Sequence, residues 1–157
     1  MKSYALSLLG ALCLTWASVA SAQGADTAAP VPATVMIVLG STQGTGSDPS
    51  LAKLEALNKP PFDTFTKKSL LKRVDVALTL GKEAEVELPN GRKLRLSWVG
   101  KAPDGRFRVS VSINRPGKQD YLPVMTVLTA AGDPFFVAGQ KHEGGTLIIG
   151  VRVGKPK

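Results

Sequence analysis

After Phe62 the chain alternates apolar and polar residues with a period of two, and that rhythm restricts its fold more than any other feature. It runs through Val74, Val76, Leu78 and Leu80, then Ala84, Val86 and Leu88, then Leu94, Leu96 and Trp98, then Phe107, Val109, Val111 and Ile113. A helix would bring apolar residues back every three or four positions, whereas a period of two puts them all on one face of a strand. Two more segments read the same way. Tyr121 to Thr129 is rich in β-branched residues but contains Pro123, which suits an edge or a strand start. The runs 135–139 and 146–153 are expected to form a final hairpin.

Ahead of this region, the run 33–39 is almost continuously apolar, as expected of a strand buried on both faces. A glycine, serine and threonine loop follows at 40–47. Asp48 then offers an N-cap and Pro49 a first helical position, with Leu51, Leu54 and Leu57 on successive turns before Lys59-Pro60-Pro61 stops the helix. Phe62, Phe65, Phe135 and Phe136 are expected to close the core around that helix. The expected class is α+β: a mainly antiparallel β sandwich or partly open barrel with one short helix and about seven strands beyond the first.

Two hairpin registers follow from the rule that inward residues face inward ones. For Leu88-Pro89-Asn90-Gly91-Arg92, a two-residue Asn-Gly loop would mix the faces. A three-residue loop with Gly91 in the left-handed bulge position pairs Val86 with Leu94 and Ala84 with Leu96. It also sets Glu87 opposite Lys93 and Glu85 opposite Arg95 as ion pairs. The same reasoning puts Gly145 at the bulge of the last hairpin, pairs Phe135 with Val153, Val137 with Val151 and Gly139 with Ile149, and brings Phe136 near Arg152 as a cation–π contact.

The amino terminus carries an address. Lys2, an apolar run from Tyr4 to Val19, and Ala20-Ser21-Ala22 read as a cleavable secretory signal peptide over residues 1–22. Residues 23–32 read as a flexible leader of Ala, Gly and Pro, and 33–157 as a single β-rich domain. Cleavage would remove Lys2 and the only cysteine, Cys13, leaving 135 residues with 19 basic and 12 acidic groups. A cysteine-free exported domain suits the bacterial periplasm or exterior, where the anionic partners on offer are envelope proteins and polymers. No transmembrane segment is expected after cleavage.

The chemistry-bearing signals are sparse. The loop 40–47 lacks the Gly-Lys-Ser/Thr of a phosphate loop and has Pro49 where a dinucleotide loop needs its third glycine, so no nucleotide is expected. His142, the single histidine, lies on a polar hairpin tip beside Glu143, which does not make a metal site; no Gly-x-Ser-x-Gly elbow presents a nucleophile. No catalytic residue, metal ligand or cofactor is therefore assigned, and nucleic acid is not expected as a partner. Between Arg92 and Lys118 eight bases meet a single acid, Asp104. With the two hairpin ion pairs set aside, Arg106 and Arg108 are expected to stand unpaired, and Arg95, Arg106, Arg108, Arg115 and Lys118 form the candidate partner-binding set. The competing reading is a solvated strand face kept charged against aggregation.

Leu70-Leu71, Leu88-Pro89-Asn90-Gly91-Arg92, Val137-Ala138-Gly139-Gln140-Lys141 and Gly145-Thr146-Leu147-Ile148 together resemble an uncharacterised family of small exported β-rich proteins from myxobacteria and related bacteria. The resemblance implies a shared fold and transfers no activity or functional residue. The expected role is a non-enzymatic envelope accessory or interaction module that engages an acidic or extended partner through a basic strand face or a sheet edge. The alternative is a small secreted hydrolase or sugar-active enzyme. An enzyme would gather His142 or paired carboxylates in a hollow; an interaction module would present a flat basic face or an open edge.

Overall fold

Alternation is realised as strands throughout the computed structural model, which describes residues 28–155. The expected signal peptide, 1–22, and residues 23–27 of the expected leader lie outside the described residues. The strands are β1 (Val31–Ser41), β2 (Gly46–Ser47), β3 (Lys67–Leu78), β4 (Glu83–Glu87), β5 (Lys93–Lys101), β6 (Phe107–Ile113), β7 (Met125–Thr129), β8 (Pro134–His142) and β9 (Gly145–Val153). They form two sheets, ordered β2-β3-β1-β9-β8 and β4-β5-β6-β7. All pairings are antiparallel except the two-residue contact of β2 with β3. Neither sheet closes into a barrel; the two face each other across one core, in the manner of a sandwich.

That core interleaves Val35, Ile37, Leu147, Ile149 and Val151 from one sheet with Leu94, Leu96, Trp98, Val109 and Val111 from the other. β1 and β9 are central strands, and their alternate residues face the opposite way. Val38 and Ile148 look outward and meet Leu51 and Leu57 in a second core. The buried-on-both-faces reading of β1 is thus realised, because the chain from 49 to 65 folds back as a cover over the outer side of the first sheet.

The cover is not the expected helix. It consists of three 3-10 turns, Pro49–Leu51, Glu55–Asn58 and Phe62–Thr64, separated by non-helical residues. Asp48 does act as the cap, accepting from Ser50 N–H at 2.8 Å and Ser50 Oγ at 2.6 Å. Pro49, Pro60 and Pro61 confine the intervening stretch to a length at which an α-helix cannot repay its nucleation, so packing of Leu51 and Leu57 dictates the path instead. Among the described residues helix is limited to these turns, and the fold is mostly β.

The β4–β5 hairpin adopts the expected register, Ala84 with Leu96, Glu85 with Arg95, Val86 with Leu94 and Glu87 with Lys93. Leu88 N–H donates to Arg92 O at 2.7 Å, Gly91 N–H donates to Leu88 O at 3.0 Å, and Gly91 sits at φ +75°. The β8–β9 hairpin differs. Its turn is the two-residue loop Glu143-Gly144, both at positive φ, flanked by His142 paired with Gly145. A bulge at Gly139 restores the parity, so Phe135 faces Val151 and Val137 faces Ile149. Gly145 is needed for space rather than for a bulge, since a Cβ there would lie 2.6 Å from Gly40 O. Phe136 consequently stands opposite Gly150, not Arg152, and packs edge-on to Phe62 at 5.8 Å.

The expected strand 121–129 is shortened to β7. Pro123 interrupts it, and Tyr121 makes only an isolated bridge to Asn114. The loop 40–47 is partly strand: β1 continues to Ser41, and Gly46-Ser47 lies alongside Lys67-Lys68.

Candidate interaction face and edge

The outer face of the four-stranded sheet carries the residues that alternation turns away from the core. Glu83, Glu85 and Glu87 stand along β4, Lys93 and Arg95 along β5, and Arg108 and Ser110 on β6. Arg95 is the centre of a closed network. Its guanidinium lies 3.7 Å over the Tyr121 ring. Nη2 donates to Glu85 Oε1 at 3.1 Å, and Tyr121 Oη donates to the same oxygen at 2.7 Å. Nε approaches Glu83 Oε2 to 3.2 Å without the alignment for a hydrogen bond.

This network moves three pKa values. The Tyr121 hydroxyl, and after it Arg95, holds the Glu85 carboxyl below the ordinary glutamate range. Donation to Glu85 pushes the Tyr121 hydroxyl up, and the Glu85 bond raises Arg95 further. Lys93 reaches diagonally to Glu85 at 3.5 Å, so the expected Glu87–Lys93 ion pair is replaced by a second contact to Glu85.

The rest of the candidate set is more dispersed than alternation implies. Arg106 was expected to stand unpaired, but its Nε donates to Asp104 Oδ2 at 2.7 Å while its backbone N–H donates to Asp104 Oδ1 at 3.1 Å. Asp104 is held low by those two bonds. Arg115 pairs with Asp120 at 3.2 Å. Lys118 lies on the same loop, its carbonyl accepting from Asn114 Nδ2 at 3.0 Å. Among the described residues no hydrogen bond or ion pair closes on the side chains of Arg108 and Lys118. The structure therefore leaves two of the five cations unengaged, and engages three in local pairs or clamps.

Arg108 faces Leu128 across the β6–β7 pairing, and β7 is an outer strand. Exposed strand edges invite further pairing, and proteins blunt them with charge, bulges or cover. β4 carries three glutamates, β8 a bulge and Lys141, and β3 carries Lys72, Arg73 and Asp75 with β2 across its start. β7 has none of these devices. From Tyr121 to Gly132 there is no charged residue. Val124, Met125 and Leu128 expose 65%, 43% and 41% of their surface. Pro123, read in the sequence as suiting an edge or a strand start, lies just ahead of this outer strand, and the run after it carries no charge.

A second feature lies at the pole of the sandwich formed by the β4–β5 and β8–β9 turns. A hollow of about 500 Å³ is lined by Lys72, Glu87, Leu88, His142 and Glu143. His142 is largely buried, with Nε2 3.7 Å from Glu143 Oε1. A neighbouring hollow of about 540 Å³ shares His142 and adds Thr42, Phe65 and Lys141. Among the described residues no three His, Cys, Asp or Glu side chains converge on a point where a metal could sit, and no helix is long and apolar enough to cross a membrane. No family model, curated protein or solved structure matches the chain.

Proposed function

We propose that the protein is an exported, non-enzymatic accessory module of the bacterial envelope that binds an extended segment of an acidic partner protein along β7. The observation that carries this reading is the one sheet edge, among those described, that lacks charge, bulge and cover while exposing Val124, Met125 and Leu128. An added strand would satisfy the free backbone groups of β7 and seat alternate apolar side chains beside Leu128. Arg108, next to Leu128, would meet an acid on the partner, which accords with the chain's net charge of +8. Arg95, Arg106 and Arg115 are held in local pairs with Glu85, Asp104 and Asp120, so Arg108 is the cation assigned to the partner.

The test is site-specific photo-crosslinking from Thr126 in the native envelope, comparing V124K/L128K, R108E and R106E. Loss of adducts with V124K/L128K and R108E, but retention with R106E, supports the reading, because Arg106 is already engaged by Asp104. Adducts that persist in V124K/L128K overturn it.

A second reading rests on the hollow that gathers His142, Glu87 and Glu143, an arrangement a small hydrolase or sugar-active enzyme would need. Turnover of glycoside or ester substrates that is lost in both E87Q and E143Q would favour it over the edge.

A further inference from the structure

Arg152 projects from β9 on the outer side of the first sheet, where its Nε is buried and finds no hydrogen-bond acceptor. Buried donors without partners are rare, since each forfeits its hydration, and an orphaned guanidinium nitrogen is a costly case. The side chain borders an open hollow of about 800 Å³ between the 3-10 cover and the corner joining β7 to β8. Lys53 and Lys59 line the cover side of the same hollow. The Lys59 contact with Glu55 is 3.9 Å long and exposed, so it holds neither group tightly. Asp133, on the corner, is engaged within the fold.

We propose that this hollow binds a sugar bearing a carboxylate or phosphate. The anionic group would settle between Lys53 and the part of the Arg152 side chain that lines the hollow. Glu55 accepts from sugar hydroxyls, which a site for a bare anion would not require. Leu54 and Pro134 offer apolar surface to the C–H face of a ring. The volume is many times that of an inorganic anion and suits one or two sugar units. The site is separate from β7 and from the His142 hollow, so it stands or falls independently of the proposed function.

The experiment is an amide chemical-shift titration of the purified protein with four probes: glucuronate, glucose 6-phosphate, glucose and inorganic phosphate. Saturable shifts at Leu54, Gly132 and Arg152 are expected with glucuronate or glucose 6-phosphate, at least tenfold tighter than with glucose or phosphate. Which of the two binds more tightly identifies the anionic group as carboxylate or phosphate. R152Q should weaken binding about tenfold, the loss expected for one charge-assisted contact, and R152K should recover part of it. Should R152Q fail to give a folded spectrum, K53E carries the same expectation from an open surface position. Absence of binding by both anionic sugars, equal binding of phosphate or glucose alone, or unchanged affinity in the folded variants would overturn the proposal.

Discussion

Replacing Gly150 by alanine tests whether the 3-10 cover is packed as a true second core. A Cβ at this position would lie 2.7 Å from Phe136 Cε1, 3.1 Å from Phe136 Cδ1 and 3.3 Å from the Met36 methyl. Carbon atoms rest best about 3.5–4.0 Å apart, so the ring must retreat by roughly 1 Å. Met36 is unbranched and yields readily. Phe136 does not, because Phe62 abuts it edge-on at 5.8 Å and Ile148, Leu51 and Leu57 fill the space around them. Overpacking of this kind costs about 1–3 kcal/mol. The restricted unfolded chain of an alanine returns roughly 0.4–1 kcal/mol. G150A should therefore lose about 1–2 kcal/mol. Leucine at 136 lacks the offending Cε1, so in an F136L background the same substitution should cost less than about 0.5 kcal/mol, a coupling of about 1 kcal/mol between neighbours. Urea denaturation read from Trp98, which is 5% exposed in the main core, measures all four variants. G150A as stable as the parent, or an equal loss in both backgrounds, would show that the cover does not press on the sheet.

The β4–β5 register predicts that G91A loses about 1 kcal/mol, since Gly91 holds φ +75° and an L side chain pays about that to enter the left-handed region. G91N should lose about half as much, and equal stability of G91A and the parent in urea would refute the bulge. For Y121F the sign follows from Glu85, whose carboxyl is held below its ordinary value of 4.5 in the fold, chiefly by the Tyr121 hydroxyl. A depressed carboxyl contributes stability above its unfolded pKa and loses it as pH falls through the folded one. Y121F should raise the Glu85 pKa in an NMR titration, and its stability deficit should be full at pH 7 and shrink below pH 4.5. A deficit that stays constant or grows in acid would refute the network.

Period-two patterning announced β4, β5 and β6 because each strand shows one wet and one dry face. It was equally sufficient for the β4–β5 turn, where Pro89-Asn90-Gly91 and alternating charges permit only one register. The β8–β9 turn has two adjacent glycines, Gly144 and Gly145, and which one takes the left-handed conformation depends on how close β1 comes, a tertiary fact. The cover escaped for a related reason. Leu51, Leu54 and Leu57 are spaced as on a helix, but the prolines and the surface beneath them set the backbone. Alternation placed Arg95 on the outer face correctly, yet Tyr121 and Asp120, which arrive beside Arg95 and Arg115 from a distant loop or across a turn, carry no local mark. Arg152 was expected over Phe136, but the Gly139 bulge shifts the register so that it pairs with Pro134 and lines the hollow beside the cover.

The pairing of β1 with both β3 and β9 also governs how the chain can fold. Ala33 lies beside Val153, and Gly154 N–H donates to Pro32 O at 2.7 Å, so the first strand is sealed by the last. Contacts that span almost the whole domain must pay the entropy of closing a very long loop before they return any energy. The sandwich core therefore cannot assemble on a chain whose final strand is still missing, and folding should run in milliseconds to seconds rather than microseconds. Until β9 arrives, β1 lacks the neighbour with which it pairs from Ala33 to Gly40.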